Sequence, residues 1–131
     1  MRHTLKLHGI IVGHSELEEV DATDRRVWGQ FHPGLGYELV QPIFRLFSEA
    51  TPMPGGEPLD QIKLARYLEA RDKLPLELVD DRGRRIETAG IHIADYSVER
   101  GPEALSLDVL VKDDGYWAAR AARSAAVNGF P

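Results

Sequence analysis

Cysteine is absent from this chain. That absence removes disulfides, thiolate nucleophiles, cysteine-ligated zinc and iron–sulfur clusters together. It leaves the compartment open, because a protein without thiols is indifferent to redox poise. Long apolar runs are missing as well, and nothing approaches the roughly 20 apolar residues that a spanning helix needs. The polar start Met1-Arg2-His3-Thr4-Leu5-Lys6 carries no signal-peptide core or cleavage site. The location expected from these absences is cytoplasmic, with no membrane partner. Basic charge is scarce too: 16 Lys and Arg against 21 Asp and Glu leave a net charge of −5. An acidic surface repels phosphate backbones, so no nucleic-acid partner is expected.

What is present bounds the architecture. A length of 131 residues with 43% hydrophobic content supports one domain with its own core, and the lack of low-complexity tracts argues against global disorder. Residues 26–50, RVWGQFHPGLGYELVQPIFRLFSEA, hold three of the four Phe, one of the two Trp and one of the four Tyr. Aromatic side chains bury the most area per residue, so this stretch is the keystone of a small core or the anchor of an interface.

Along the chain, residues 5–13 (LKLHGIIVG) read as one central strand, apolar on both faces, with Gly9 marking a bulge or a close backbone approach. Ser15 followed by Glu18 has capping-box spacing and opens at most a short helical turn in the acidic run to Asp24. Residues 27–31 form a strand. Pro42 is tolerated only in a first helical turn, so a helix starts near residues 38–41 and ends before Pro52, with a buried stripe of Val40, Phe44 and Phe47. A Pro- and Gly-rich loop over 51–58 leads to a second helix over 59–74, with Ile62, Ala65, Tyr67 and Leu68 near one face.

From residue 76 the period becomes two. A hairpin turns at Asp80-Asp81-Arg82-Gly83, a strand covers 91–98, and Leu105, Leu107, Val109 and Val111 alternate against Ser106, Asp108, Leu110 and Lys112. Residues 115–128 make an Ala- and Arg-rich terminal helix, read as an appendage to the domain, with Asn128-Gly129 as its stop. Grouped rather than alternating elements predict an α+β fold, a mainly antiparallel sheet with a helix pair on one face. The Val40/Phe44/Phe47 stripe is expected to pack on the Leu105/Leu107/Val109/Val111 face.

The chemistry is sparse. His14, Glu16, His32, His92 and Asp95 are the residues that would have to converge for an acid–base or metal site, but no HExxH or other diagnostic spacing supports one. Gly13-His14-Ser15-Glu16-Leu17 lacks the second glycine of a nucleophile elbow, and Pro33-Gly34-Leu35-Gly36 lacks the third glycine and the lysine of a phosphate cradle. Neither metal nor cofactor is expected. The acidic residues 16–24 read as a solvated loop, or as a surface steering a basic partner. In the terminal helix Tyr116, Trp117 and Arg120 have the composition of interface anchors.

The runs GHSELEEVD, VWGQFHPGLGYELVQPIFRLFSEA, LARYLEARDKLPLELVDDRGRRI and IHIADYS resemble a group of small uncharacterised bacterial proteins. These share a G-x-S-[DE]-LE start, a P-x-F-x-LF helix and an I-H-[IV]-x-D-[FY] strand. The resemblance covers residues 9–98, more weakly to 117, and implies a bacterial cytoplasmic domain without assigning a mechanism.

The reading that follows is a non-catalytic binding or interaction protein, of which an inhibitor or immunity-type partner is an example. A small hydrolase or lyase built on the histidines and carboxylates is the alternative. Trp28, Ile10, Val12 and Leu110 are expected to form an apolar second sheet face, covered by a two-fold copy or by the terminal helix folding back.

Overall fold

Two left-handed residues, His8 (φ 49°) and Gly9 (φ 81°), divide the first apolar run into β1 (His3–Leu7) and β2 (Ile10–Ser15). Positive φ at both central residues is what a tight two-residue hairpin requires, and its twist suits the flanking strands. The single central strand expected over 5–13 is therefore a hairpin; its two apolar faces arose because the alternation restarts after the turn. The irregularity of pairing falls at Leu5/Lys6, not at Gly9. The protein is described by a computed structural model over residues 1–128, so the Gly129 half of the expected helix stop lies outside the described residues.

The fold is α+β, as the grouped elements predict, and its strands are divided between two antiparallel sheets. The first has the order β5-β2-β1-β6-β7, where β5 is His32–Pro33, β6 is Leu76–Val79 and β7 is Arg85–Ile86. β1 is central in it, flanked by β2 and by the distant β6, with Leu5 opposite Leu78. The β6–β7 turn forms because the Asp80 carboxylate accepts the Arg82 and Arg84 N–H groups at 3.0 and 2.8 Å.

The second sheet has the order β3-β4-β9-β8, with β3 at Glu19–Asp21, β4 at Arg26–Gln30, β8 at Thr88–Asp95 and β9 at Leu105–Val111. β3 replaces the expected helical turn. Ser15 caps nothing helical: its hydroxyl accepts the Leu17 N–H at 3.1 Å, and Leu17 is buried at φ 45°. With no apolar stripe to bury as a helix, the acidic segment pairs instead with β4, Val20 opposite Val27.

A 3-10 turn over Leu35–Leu39 leads into α1 (Gln41–Ala50), which holds Pro42 in its first turn. Helix α2 (Gln61–Asp72) is capped by Asp60, whose carboxylate accepts the Ile62 and Lys63 N–H groups. Helix α1 packs mainly on α2 and on β8, an edge strand of the second sheet, where β9 was the expected partner. Phe47 meets His92 edge-on at 4.5 Å and Phe44 lies 6.1 Å from Tyr67. The buried residue of α2 is Tyr67; Ile62, expected beside it, is 70% exposed, because α1 occupies only the Tyr67 side. A short helix α3 (Ser97–Arg100) precedes β9.

Helix α4 (Asp114–Asn128) is tied to the body at its start. Tyr116 is buried against His3 of β1 and Arg120 donates to the Leu17 carbonyl at 3.1 Å. One core joins both sheets and the helices, including Leu5 and Leu78 from the first sheet, Val27, Ile93, Leu107 and Val109 from the second, and Phe44 and Tyr67 from the helices.

Phe44 has no exposed surface, so Phe44→Ala should cost about 3–5 kcal/mol and lower the urea midpoint accordingly. An unchanged midpoint would remove Phe44 from the core.

A pH dependence follows from two histidines. His3 is fully buried; burial, then the positive N-terminus and Arg120, outweigh the raising effect of the Ser15 and Met1 backbone and lower its pKa from 6.5 to about 4. Burial likewise lowers His92 to about 4. Both stay neutral when folded yet take a proton near 6.5 when unfolded, so stability is full above 6.5 and lost as pH falls toward 4. His3 alone should account for about 2 kcal/mol of loss by pH 5. Ordinary carboxylates, at 3.8 and 4.5, titrate below most of that window. Urea midpoints measured from pH 7 to 5 check this, and a flat profile would show that His3 is solvated.

Candidate functional site

The histidines and carboxylates singled out in the sequence do not meet. His14 and His32 are cross-strand partners on β2 and β5, in the first sheet, with rings stacked at 4.9 Å and 26°. Stacked imidazoles set their lone pairs side by side instead of aiming them at one metal position. Glu16, half-exposed, takes the N-terminal ammonium at 3.1 Å, and that hydrogen bond holds its carboxyl below the ordinary value. His92 and Asp95 belong to β8 in the second sheet, on opposite faces of the strand. Among the described residues no group of three or more His, Asp or Glu is placed to hold a metal ion.

Asp95 is fully buried and fully used. Its carboxylate accepts the Tyr37 hydroxyl at 2.6 Å, the Gln41 amide at 3.1 Å, and the Ser97 N–H and hydroxyl at 3.0 and 2.6 Å. Burial works to raise its pKa, but the Ser97 and Tyr37 hydrogen bonds outweigh burial and hold it below the usual range. Its role is to fasten the helices to β8.

The residues read as interface anchors are engaged within the chain. Trp28 lies on the outer face of β4, half-buried, under the Arg26 guanidinium at 4.4 Å. Tyr116 is buried, Trp117 donates its indole N–H to the Val111 carbonyl at 2.8 Å, and Arg120 donates to the Tyr116 hydroxyl at 3.1 Å. The apolar second face expected from Trp28, Ile10, Val12 and Leu110 does not form. Val12 is buried, Ile10 belongs to the first sheet, and only Trp28 and Leu110 share the second. The hairpin at His8 and Gly9, which a one-strand reading of 5–13 conceals, is the reason.

Two other features emerge. The first is an aliphatic patch. Ile10, Ile11, Leu35 and Leu39 are 48%, 53%, 100% and 58% exposed. The glycines on either side of Leu35 bring this turn against β2: a Cβ on Gly36 would lie 2.5 Å from the Ile11 carbonyl oxygen and 2.8 Å from an Ile10 methyl. Only glycine permits that approach.

The second feature is a groove of about 390 Å³ between α2 and the outer face of β8 and β9. At its base the Tyr67 hydroxyl and His92 Nδ1 share a short hydrogen bond, and burial pushes the tyrosine up to about 12. Across the strands His92 faces Asp108, whose carboxylate is held by Arg26 through its Nε at 2.8 Å and its Nη2 at 2.5 Å. The Arg71 guanidinium lies 5.4 Å from the Tyr67 ring centre. Of these residues only His92 stood out in the sequence; Tyr67 is 25 positions away on a helix, and no local spacing connects them. A larger cleft of about 550 Å³ lies between β6, β7 and the end of β9; of the charged groups that line it, Glu77 and Arg85 face one another at 3.9 Å, and Glu87, Lys112 and Asp113 stand along its other side. Compared with protein-family models, with curated proteins and with solved structures, the chain matches none.

Proposed function

We propose that this chain is a non-catalytic binding protein whose contact surface is the aliphatic patch of Ile10, Ile11, Leu35 and Leu39, and that a second copy of the chain occupies it across a two-fold axis. The observation that carries this reading is the complete exposure of Leu35 with three further half-exposed aliphatic residues around the Gly34 and Gly36 approach. Single exposed leucines are ordinary, whereas grouped ones mark contact surfaces. Charge supports a like partner at this place. Two copies each carrying −5 repel over most of their surface, and an uncharged patch is where they approach at least cost. Strand addition is disfavoured there, since the edge strand β5 spans only His32–Pro33 and proline has no N–H to offer. Side-chain packing across a symmetric interface is the remaining mode.

The hydrolase or lyase alternative draws no support from the arrangement of His14, Glu16, His32, His92 and Asp95, which fall in two sheets and on opposite faces of β8. A protein partner of the inhibitor or immunity type would meet the same patch and leave the free chain monomeric.

Light scattering at micromolar concentration tests the proposal. The expected mass is twice the 14.6 kDa of one chain, and Leu35→Asp should return it to one chain with the far-UV circular dichroism spectrum of the folded chain retained, since the Leu35 side chain touches nothing within its own chain. A wild-type particle of 14.6 kDa overturns the dimer.

A further inference from the structure

We infer that the groove between α2 and the outer face of β8 and β9 is a binding site for a small amphipathic carboxylate, with Arg71 holding the carboxylate and the groove walls taking its hydrocarbon body. The inference is independent of the dimer patch, which lies on the other sheet.

Size and lining come first. A volume of about 390 Å³ falls within the range of small-molecule sites. The walls are apolar: Phe47 from α1, Leu68 from α2, and Leu110 from the sheet. Leu68 and Leu110 are 40% and 43% exposed, so apolar surface stands open to water along the groove. Gly90 keeps the floor clear, since a Cβ there would meet nothing nearer than a Leu110 methyl at 3.8 Å. Filling such a groove with hydrocarbon removes that surface from water.

The polar groups then select the charge of the ligand. Four of them are already satisfied in two pairs. Tyr67 and His92 share their hydrogen bond, and Asp108 is neutralised by Arg26 in a bidentate pair that also covers Trp28. Arg71 is different. Its guanidinium rests over the Tyr67 ring, and its nearest carboxylate, the exposed Asp72, stands at 3.7 Å, beyond hydrogen-bond distance. A planar fork with donors to spare at the rim of an apolar groove matches a carboxylate, which it can hold through two parallel hydrogen bonds. A second cation is not matched to the ligand, because Arg26 is already held. A monoanion therefore fits better than a dianion. The neutral imidazole of His92 adds no charge of its own at neutral pH.

Heteronuclear NMR titration of the full chain tests the site with octanoate, 1-octanol, N-acetylphenylalanine and inorganic phosphate as probes. Octanoate or N-acetylphenylalanine should shift the amide signals of Gly90, His92 and Leu110 in a saturable way, with 1-octanol and phosphate at least about tenfold weaker. Stronger binding of octanoate would identify a free alkyl carboxylate as the source, and stronger binding of N-acetylphenylalanine a peptide C-terminus; both uphold carboxylate recognition. Arg71→Gln should weaken the carboxylate about tenfold while leaving the urea midpoint within experimental scatter. Gly90→Leu, whose Cβ would meet only a Leu110 methyl at 3.8 Å and whose side chain would occupy the floor, should abolish binding in the folded variant. No saturable shift up to about 10 mM, equal binding of 1-octanol, or unchanged affinity in folded Arg71→Gln would each overturn the inference.

Discussion

A single buried carboxylate organises the helical half of this protein. Asp95 sits at the end of β8 with no solvent access, and its donors come from three separate places: Tyr37 in the 3-10 turn, Gln41 at the start of α1, and Ser97 at the start of α3. An unpaired buried charge would cost several kcal/mol, so Asp95 can be buried only when all three segments are in place. Arg45 of α1 adds a hydrogen bond to the Asp95 carbonyl at 2.7 Å and pairs with Glu99 of α3. The direction in which α1 crosses β8 is set by this polar junction, and the apolar stripe of Phe44 and Phe47 then has one place to go.

That crossing creates the groove. With α1 against the outermost strand, Phe47 and Tyr67 come round to the outer side of β8 and enclose His92. The aromatic rings desolvate the imidazole, which is why it stays neutral well below its ordinary pKa. Leu68 of α2 and Leu110 of β9 line the groove that results and stay open to water. At the opposite end α4 closes the core in a different way, by inserting Tyr116 beside His3 and spending Arg120 on the Leu17 carbonyl. His3 is fully buried there, with its ring edge-on to Tyr116.

Local signals in the sequence were read well where one residue type has one meaning. Pro42 placed the start of α1, the Asp80 to Gly83 turn placed the β6–β7 hairpin, and the alternation of Leu105 to Val111 placed β9. They misled where one pattern has two. Ser15 and Glu18 have the spacing of a capping box, but the same serine also closes a turn on Leu17 and the segment becomes β3. His8 and Gly9 form a hairpin turn without the Asn-Gly or Asp-Gly composition that usually announces one. Tyr116 and Arg120 have interface composition and are used for internal docking, because composition does not say which surface will cover it.

The sequence by itself determined the class of fold, the antiparallel habit of its strands and the positions of its longer helices, since these depend on periodicity, proline and turn chemistry within a few residues. Tertiary structure decided the rest. The division into two sheets rests on β1 pairing with β6 and β4 with β9, strands separated by most of the chain. The groove joins Tyr67, Arg71, His92, Asp108 and Arg26 from four elements, and the aliphatic patch joins a hairpin to a 3-10 turn. Alternation tells which side of a strand is apolar, but not which partner lies on that side. That is settled only when the loops close, the buried charge of Asp95 finds its donors and the remaining apolar faces compete for one core.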